Sequence, residues 1–401
     1  MESQINPFNP QSPVDPNFFV GRKEALKDLH IYMQESLEGR RINTIFIRGD
    51  RGIGKTSLAK YFRVICEKTL GITSFYLLLN ERKENVTGKD FVLAILEKII
   101  EAKSSERNFL KKLQSISGYL ESIDLGIIKL KLREVIKNSP DDTRELLIFL
   151  DKINTNFKNE GSSGLLVILD EIENLESKES IVNFTRTISD ISDELRIDKK
   201  IVFIMCGSIE TYEQVHNIDG RIGDFLKIID VSELNQEEVK EFYRKTFSTL
   251  QCHISDKALN LLAGYCSGYP QIMQRVGYEV FKNLNLRDKP SNIDLPEASI
   301  GINEASKSWA KSHLLKINYE DITDRRFKLL AHVLRKIETD LYFSENRLKI
   351  EIPNKDEFQS VLDAIKLLES SGILRNGKQE GEWNFKDRLL SLFIQNIGII
   401  E

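Results

Sequence analysis

Between Gly49 and Thr56 the chain reads Gly-Asp-Arg-Gly-Ile-Gly-Lys-Thr, a G-x-x-x-x-G-K-T pattern. Its flanks give the pattern a structural context. Ile45-Phe-Ile47 before it reads as a buried strand, and Ser57 to Ile65 after it carries apolar residues at helical spacing. Strand, glycine loop and helix together make a phosphate-binding loop. The glycines let the backbone of Asp50, Arg51, Gly52, Ile53 and Gly54 wrap a polyphosphate with no Cβ in the way. The helix that opens near Lys55, Thr56 and Ser57 aims its unpaired N–H groups and positive dipole end at the phosphates. Lys55 adds a point charge near the terminal phosphates, and the Thr56 hydroxyl can ligate Mg²⁺.

A second element points the same way. Leu165-Leu-Val-Ile-Leu-Asp-Glu171 is an apolar strand that ends in two acids. Carboxylates at the C-terminal end of a parallel strand face the crevice where open α/β sheets bind ligands. Asp170 is placed to hold Mg²⁺, directly or through water, and Glu171 to polarise an attacking water. Strands that merely meet solvent also end in acids, so this element takes its weight from the loop upstream.

The bulk composition sets wider bounds. A chain of 401 residues has room for two or three domains. Lys and Arg number 57 against 61 Asp and Glu, a net charge of −4, so the chain is not built to coat a polyanion. The four cysteines form no C-x-x-C pair and read as reduced core thiols, which fits a reducing compartment. The five histidines show no zinc spacing. With no signal-peptide pattern and no apolar run of membrane-spanning length, the expected location is cytoplasmic and no membrane partner is expected.

Along the chain, residues 1–18 are an extended lead-in punctuated by prolines. Strands are expected at about 44–48, Ile72–Leu79, Leu165–Glu171, Lys200–Cys206 and Phe225–Val231, alternating with helices that include Phe91–Glu101 and Thr143–Lys158. That alternation makes a parallel sheet covered on both faces. The span 102–164 is long for one connection, and alternation in Ile123–Leu132 suggests a hairpin inserted there. After Leu234 the pattern turns helical, opening on a capped start at Asn235 with acids in the first turn. Asp288–Pro296 reads as a linker. Helices near 300–317, 323–337 and Lys355–Ser371 then precede a strand, glycine turn and strand ending at Phe385, the outline of a winged helix.

This ordered set resembles the AAA+ type of P-loop ATPase, and within it the archaeal and bacterial STAND-like ATPases, with the origin-recognition initiators as cousins. The resemblance implies an α/β P-loop domain at 19–233 with an insertion at about 102–164, a helical lid at 234–290 and a winged-helix-like domain at 300–401. Phe19-Val-Gly-Arg-Lys-Glu24 is similar to the family's N-terminal box, which makes Val20, Gly21 and Arg22 candidate contacts to the nucleotide. Cys206-Gly-Ser208 resembles the sensor position, with Ser208 as the polar group. Arg221 falls where the family often carries a γ-phosphate-sensing arginine. Gly268-Tyr-Pro270 resembles the turn that opens a lid helix, which brings Pro270 near the base. For Ser208 the competing role is a strand-end hydroxyl satisfying backbone groups; for Arg221 it is a solvated loop arginine. Where initiators carry a lid arginine this chain has Gln271, with Arg275 one turn on. That departure and the long insertion favour the STAND-like side.

The resemblance implies ATP and Mg²⁺ as cofactors and two functional readings. One is an ATP-hydrolysing conformational switch that acts on a protein partner, or self-associates, through its lid and winged helix. The other is an initiator-like ATPase whose winged helix grips duplex DNA. From Ala310 to Glu401 there are 15 Lys or Arg against 15 Asp or Glu. DNA affinity rests mainly on phosphate neutralisation, so the balance favours the protein partner.

Overall fold

The computed structural model describes residues 5–79, 95–97, 99, 142–159, 161–175, 177–194, 198–284, 292–313, 324–337 and 341–398. They form two compact units, Asp15–Ser232, and Met1–Val14 together with Glu233–Glu401.

In the first unit, α1 (Lys23–Leu37) leads to β1 (Asn43–Arg48), α2 (Lys55–Thr69) and β2 (Thr73–Leu78). Next come α3 (Asp142–Lys158), β3 (Leu165–Asp170), α4 (Glu179–Glu194) and β4 (Ile201–Gly207). The unit ends with α5 (Ile209–Ile218), α6 (Ile222–Phe225) and β5 (Leu226–Asp230). The five strands form one parallel sheet in the order β2-β3-β4-β1-β5. All five expected strands are therefore present, within two residues of their expected ends. Strand β4 lies between the loop-bearing β1 and the acid-tipped β3.

Parallel strands joined by helical crossovers are covered on both faces, which is why β3 and β4 are buried along their whole length. Alternation sorts the side chains. Phe46, Phe75, Leu77, Val167, Leu169, Phe203 and Met205 pack in one cluster with Leu147 and Leu150 of α3 and Phe184 of α4. The alternate residues, Tyr76 and Asp170 among them, face the side carrying α2. The helix expected at Phe91–Glu101 is described only at 95–97 and 99, and the hairpin expected at Ile123–Leu132 lies outside the described residues.

The second unit holds α7 (Gln236–Ser248), α8 (Asp256–Cys266), α9 (Pro270–Leu284) and α10 (Leu295–His313). Then follow α11 (Arg325–Lys336), β6 (Tyr342–Ser344), α12 (Glu345–Glu351), α13 (Lys355–Ser370), β7 (Leu374–Asn376), β8 (Glu382–Phe385) and α14 (Arg388–Gln395). The start of α7 is a complete capping box between Asn235 and Glu238. The expected two-stranded hairpin is a three-stranded antiparallel sheet, β6-β8-β7, because Tyr342–Ser344 pairs with β8. Phe343 brings an apolar ring to that pairing and stacks 5.5 Å from Trp383. Buried Asp387 caps α14 and accepts the indole N–H of Trp309 at 2.9 Å, tying the hairpin's end to α10.

The lead-in is docked rather than free. Phe8 is 1% exposed and packs against Phe242 and Phe247 of α7, with ring centroids 5.9 and 4.9 Å away. Its ring fills the space that a side chain at Gly277 would take, since a Cβ there would lie 2.4 Å from it. The Asn9 amide donates to Gln274 Oε1 at 2.8 Å, and Asn6 Nδ2 donates to the Tyr278 carbonyl at 3.3 Å. The N-terminal segment is thus part of the unit built from the C-terminal half.

Candidate functional site

The loop after β1 has the geometry that its glycines predict. Gly52 and Gly54 sit at φ +80° and +101°, in the left-handed region that side chains avoid. At Gly49 the limit is space, because a Cβ would lie 2.6 Å from the Val231 carbonyl oxygen. Gly54 is the N-cap of α2 and offers no side-chain acceptor. The first turn of this 15-residue helix therefore presents backbone N–H groups to the loop's concavity, the arrangement that binds phosphate. Ile53 is buried and anchors the loop from below, while Asp50 and Arg51 are exposed at its tip. Ser57 is buried in the first turn.

Lys55 curls over this concavity. Its Nζ donates to the carbonyls of Gly49 at 2.8 Å and Asp50 at 3.0 Å. Thr56, next in the helix, donates its hydroxyl to Asp170 Oδ2 at 2.8 Å. Strands β1 and β3 are not neighbours, so this bond joins the two motifs across the sheet's C-terminal edge. Asp170 is 2% exposed, and both of its oxygens accept hydrogen bonds. Oδ2 also accepts the Tyr76 hydroxyl at 2.5 Å, and Oδ1 accepts the Glu171 amide at 3.0 Å. A hydroxyl and a carboxylate side by side are the hard oxygen donors that Mg²⁺ takes from protein, so the residues present fit that ion.

Glu171 is exposed and holds φ +59°, a left-handed conformation uncommon outside glycine. Such strain gathers where a side chain must be aimed. Its Oε2 accepts from Asn174 Nδ2 at 3.1 Å, and the same nitrogen lies 3.1 Å from the Leu79 carbonyl. Glu173 is exposed at the following turn.

The N-terminal box reaches the loop through Arg22. Its guanidinium donates to the Ile53 carbonyl at 2.9 Å and to the Ser232 carbonyl. Gly21 and Arg22 both have positive φ, 67° and 61°, so the chain turns sharply there before α1. Val20 is buried beside this turn.

Two further candidates are placed by register. Gly207 pairs with Arg48, so Ser208 follows β4 at the level at which Gly49 follows β1. In this structure its hydroxyl caps α5, accepting the Thr211 amide at 3.1 Å. Arg221 stands at the other end. It precedes β5, whose first residue Leu226 pairs with Thr44 at the start of β1. At about 3.3 Å per residue, roughly 16 Å of strand separates that level from the loop. Arg221 is exposed, and its amide donates to Asp219 Oδ1 at 3.1 Å. It does not join the loop and the acids of its own chain.

Pro270 belongs to the second unit, where it opens α9. Arg275 of that helix lies over the Trp309 ring, 5.8 Å from its centroid, and its buried Nε has no hydrogen-bond partner. Within its unit this arginine is committed to the α10 side.

Sequence reasoning passed over Tyr76 and Asn174. A tyrosine in the run Phe75-Tyr76-Leu77 was the available signal, since its hydroxyl needs a partner when buried. Asn174 carried none. Burial and the adjacent Asp170 push the Tyr76 hydroxyl well above its ordinary titration range, so it stays a donor.

With this geometry in hand, the fold can be compared with solved structures. The chain resembles the Walker-type ATPase paby2304 of Pyrococcus abyssi, with a TM-score of 0.53 at 13% identity, over 94% of this chain and 96% of that one. It resembles the ORC2 protein of Aeropyrum pernix, solved as ADPNP-ADP complexes, with a TM-score of 0.55 at 14% identity, over 99% of this chain and 95% of that one. The chain has the AAA+ P-loop ATPase fold. No family model and no curated protein matches the sequence. The likeness thus lies in the fold, and at 13–14% identity the site rests on this chain's own residues. Among the described residues no helix is long and apolar enough to cross a membrane.

Proposed function

We propose that this chain is a Mg²⁺-dependent ATP-binding and ATP-hydrolysing switch. The observation that carries the reading is the Thr56–Asp170 hydrogen bond at 2.8 Å. It brings the loop's metal-ligating hydroxyl and the acid strand's carboxylate together, with Glu171 as the next residue. Backbone N–H groups of the loop and α2 would bind the phosphates, with Lys55 as their cation. Thr56 and Asp170 would hold Mg²⁺, which when bound supplies charge neutralisation on the transferred phosphoryl group. Glu171 would orient and deprotonate the attacking water. Val20, Gly21 and Arg22 are the proposed nucleoside-side contacts, and Ser208 the proposed γ-phosphate sensor.

Arg221 fits a role in trans. Its place beyond the N-terminal ends of the strands leaves it free to meet the nucleotide of a second copy, so turnover per chain would rise with protein concentration. The similarity to a Walker-type ATPase and to a protein solved with ADPNP and ADP supports nucleotide binding as the common theme.

The C-terminal module, α11 to α14 with its three-stranded sheet, is read as a winged helix that meets a protein partner. The outward side of α13 carries Lys355 and Lys366 against Asp356 and Asp363. Nearby basic groups are already engaged, Arg325 with Glu357, Lys336 with Glu351 and Lys349 with Glu345. A helix balanced in this way gains little from DNA phosphates. STAND-like signalling, in which nucleotide state shifts the population of two arrangements, suits these features.

Steady-state ATP hydrolysis by the wild type, Lys55→Ala and Glu171→Gln tests the reading, with and without duplex DNA and over a range of protein concentrations. Turnover abolished by both substitutions supports the switch. Turnover that survives both sinks it, and stimulation by duplex DNA favours the initiator-like alternative.

A further inference from the structure

We propose that Tyr76 is a positioning residue for Asp170, fixing the carboxylate in the orientation from which it serves a divalent cation together with Thr56. The inference rests on the ATPase reading above and deepens it.

Three donors converge on one buried carboxylate. Oδ2 takes the hydroxyls of Thr56 at 2.8 Å and Tyr76 at 2.5 Å, and Oδ1 takes the Glu171 amide at 3.0 Å. The topology makes the contact deliberate. Leu78 pairs with Asp170 and Tyr76 with Ile168, so Tyr76 lies one same-face position back on the neighbouring strand. That face is the one carrying α2, which holds the tyrosine in turn, since Lys60 Nζ lies 4.5 Å from the centroid of its ring. A serine, threonine or phenylalanine at position 76 would leave this oxygen with one donor fewer.

The consequence concerns the metal. To bind a cation, Thr56 must turn its lone pairs towards it while keeping its proton on Asp170. A carboxylate free to rotate loses that geometry in part of its population, and the cation then binds a fraction of the molecules. The Tyr76 bond removes this freedom without touching nucleotide or metal. Contacts to the phosphates through Lys55 and the backbone do not depend on it. Removing the hydroxyl should therefore raise the Mg²⁺ requirement and leave metal-free nucleotide binding alone.

The test is a Mg²⁺ titration of fluorescent ATP-analogue binding, with an EDTA baseline. It compares the wild type, Tyr76→Phe, Asp170→Asn, the double variant and Lys55→Ala. Loss of one hydrogen bond to a charged group should raise the Mg²⁺ midpoint of Tyr76→Phe about ten-fold, with affinity in EDTA unchanged. In the Asp170→Asn background the Phe substitution should have no further effect. A midpoint that is unchanged or lower in Tyr76→Phe, or an equal effect in the Asp170→Asn background, overturns the proposal. The underlying reading fails separately, if the wild type binds no nucleotide or Lys55→Ala binds it as the wild type does. ¹³Cζ-tyrosine NMR of the wild-type nucleotide complex gives a second readout that no variant's folding can spoil. The Tyr76 resonance should move on adding Mg²⁺, and a stationary one counts against the proposal.

Discussion

The Lys55 ammonium donates to the carbonyls of Gly49 and Asp50, 2.8 and 3.0 Å away. The cation needed by the phosphates thus closes the loop upon itself, and nucleotide binding must exchange those carbonyls for phosphate oxygens. A hydrogen bond to a charged group is worth about 1.5–3 kcal/mol, or roughly 10- to 100-fold in affinity. Lys55→Ala should lose that much ATP affinity by fluorescence titration. Lys55→Arg should not restore it, because the planar guanidinium does not replace a compact ammonium inside the loop.

Glu171 carries strain that its neighbours do not. At φ +59° it occupies a region costing about 1 kcal/mol or more for a side chain. Glu171→Gly should therefore unfold at higher urea, with a gain of about 1 kcal/mol, while ATP turnover is lost. Glu171→Gln should keep both the strain and the binding and lose turnover alone. A Gly variant no more stable than the wild type would show that the backbone is relaxed and the strain argument mistaken.

The parts legible in the sequence were those specified locally. Gly49–Thr56 fixes a loop by backbone conformation, and the apolar runs at Leu165–Glu171 and Lys200–Cys206 read as interior strands. Ser344 and Arg388 mark what was hidden. Strand β6 is three residues long and exists because Phe343 meets Trp383, 40 positions away. Helix α14 begins where Asp387 caps it and receives Trp309 from α10. In the site, Lys55, Thr56, Asp170 and Glu171 were readable from spacing. Tyr76 was not, since its partner is set by strand register rather than by sequence neighbours.

Phe8 is the same lesson at the N-terminus. Its prolines read as an extended lead-in, yet the ring is buried against α7 and over Gly277. Truncating a buried phenylalanine costs about 3–5 kcal/mol, so Phe8→Ala should lower the stability of the second unit by that order in urea unfolding. Gly277→Val should destabilise as well, by driving the ring out. Phe8→Ala combined with Gly277→Ala should cost less than the two single changes summed, because the new methyl enters the space the ring leaves. Strict additivity would mean that the two positions do not share that space.

Buried thiols make the fold sensitive to alkali. Burial pushes Cys66 and Cys266 up to about 12, and it raises Cys206 and the Tyr243 hydroxyl as well. In the unfolded chain a thiol titrates near 8.5. The folded state therefore holds the extra protons between those values, and the contribution is complete below about pH 8 and falls as pH rises towards 12. Each thiol should cost about 2 kcal/mol of stability by pH 10. Urea midpoints at pH 7.5 and pH 10 measure the loss, and Cys66→Ala or Cys266→Ala should flatten the pH slope whatever it does at neutrality. The same burial leaves half-buried Cys252 as the thiol that a maleimide should label first in the native protein, with all four reacting in urea. Fast native labelling of Cys66 or Cys266 would mean that their surroundings open to water, and the alkaline loss should then vanish with it.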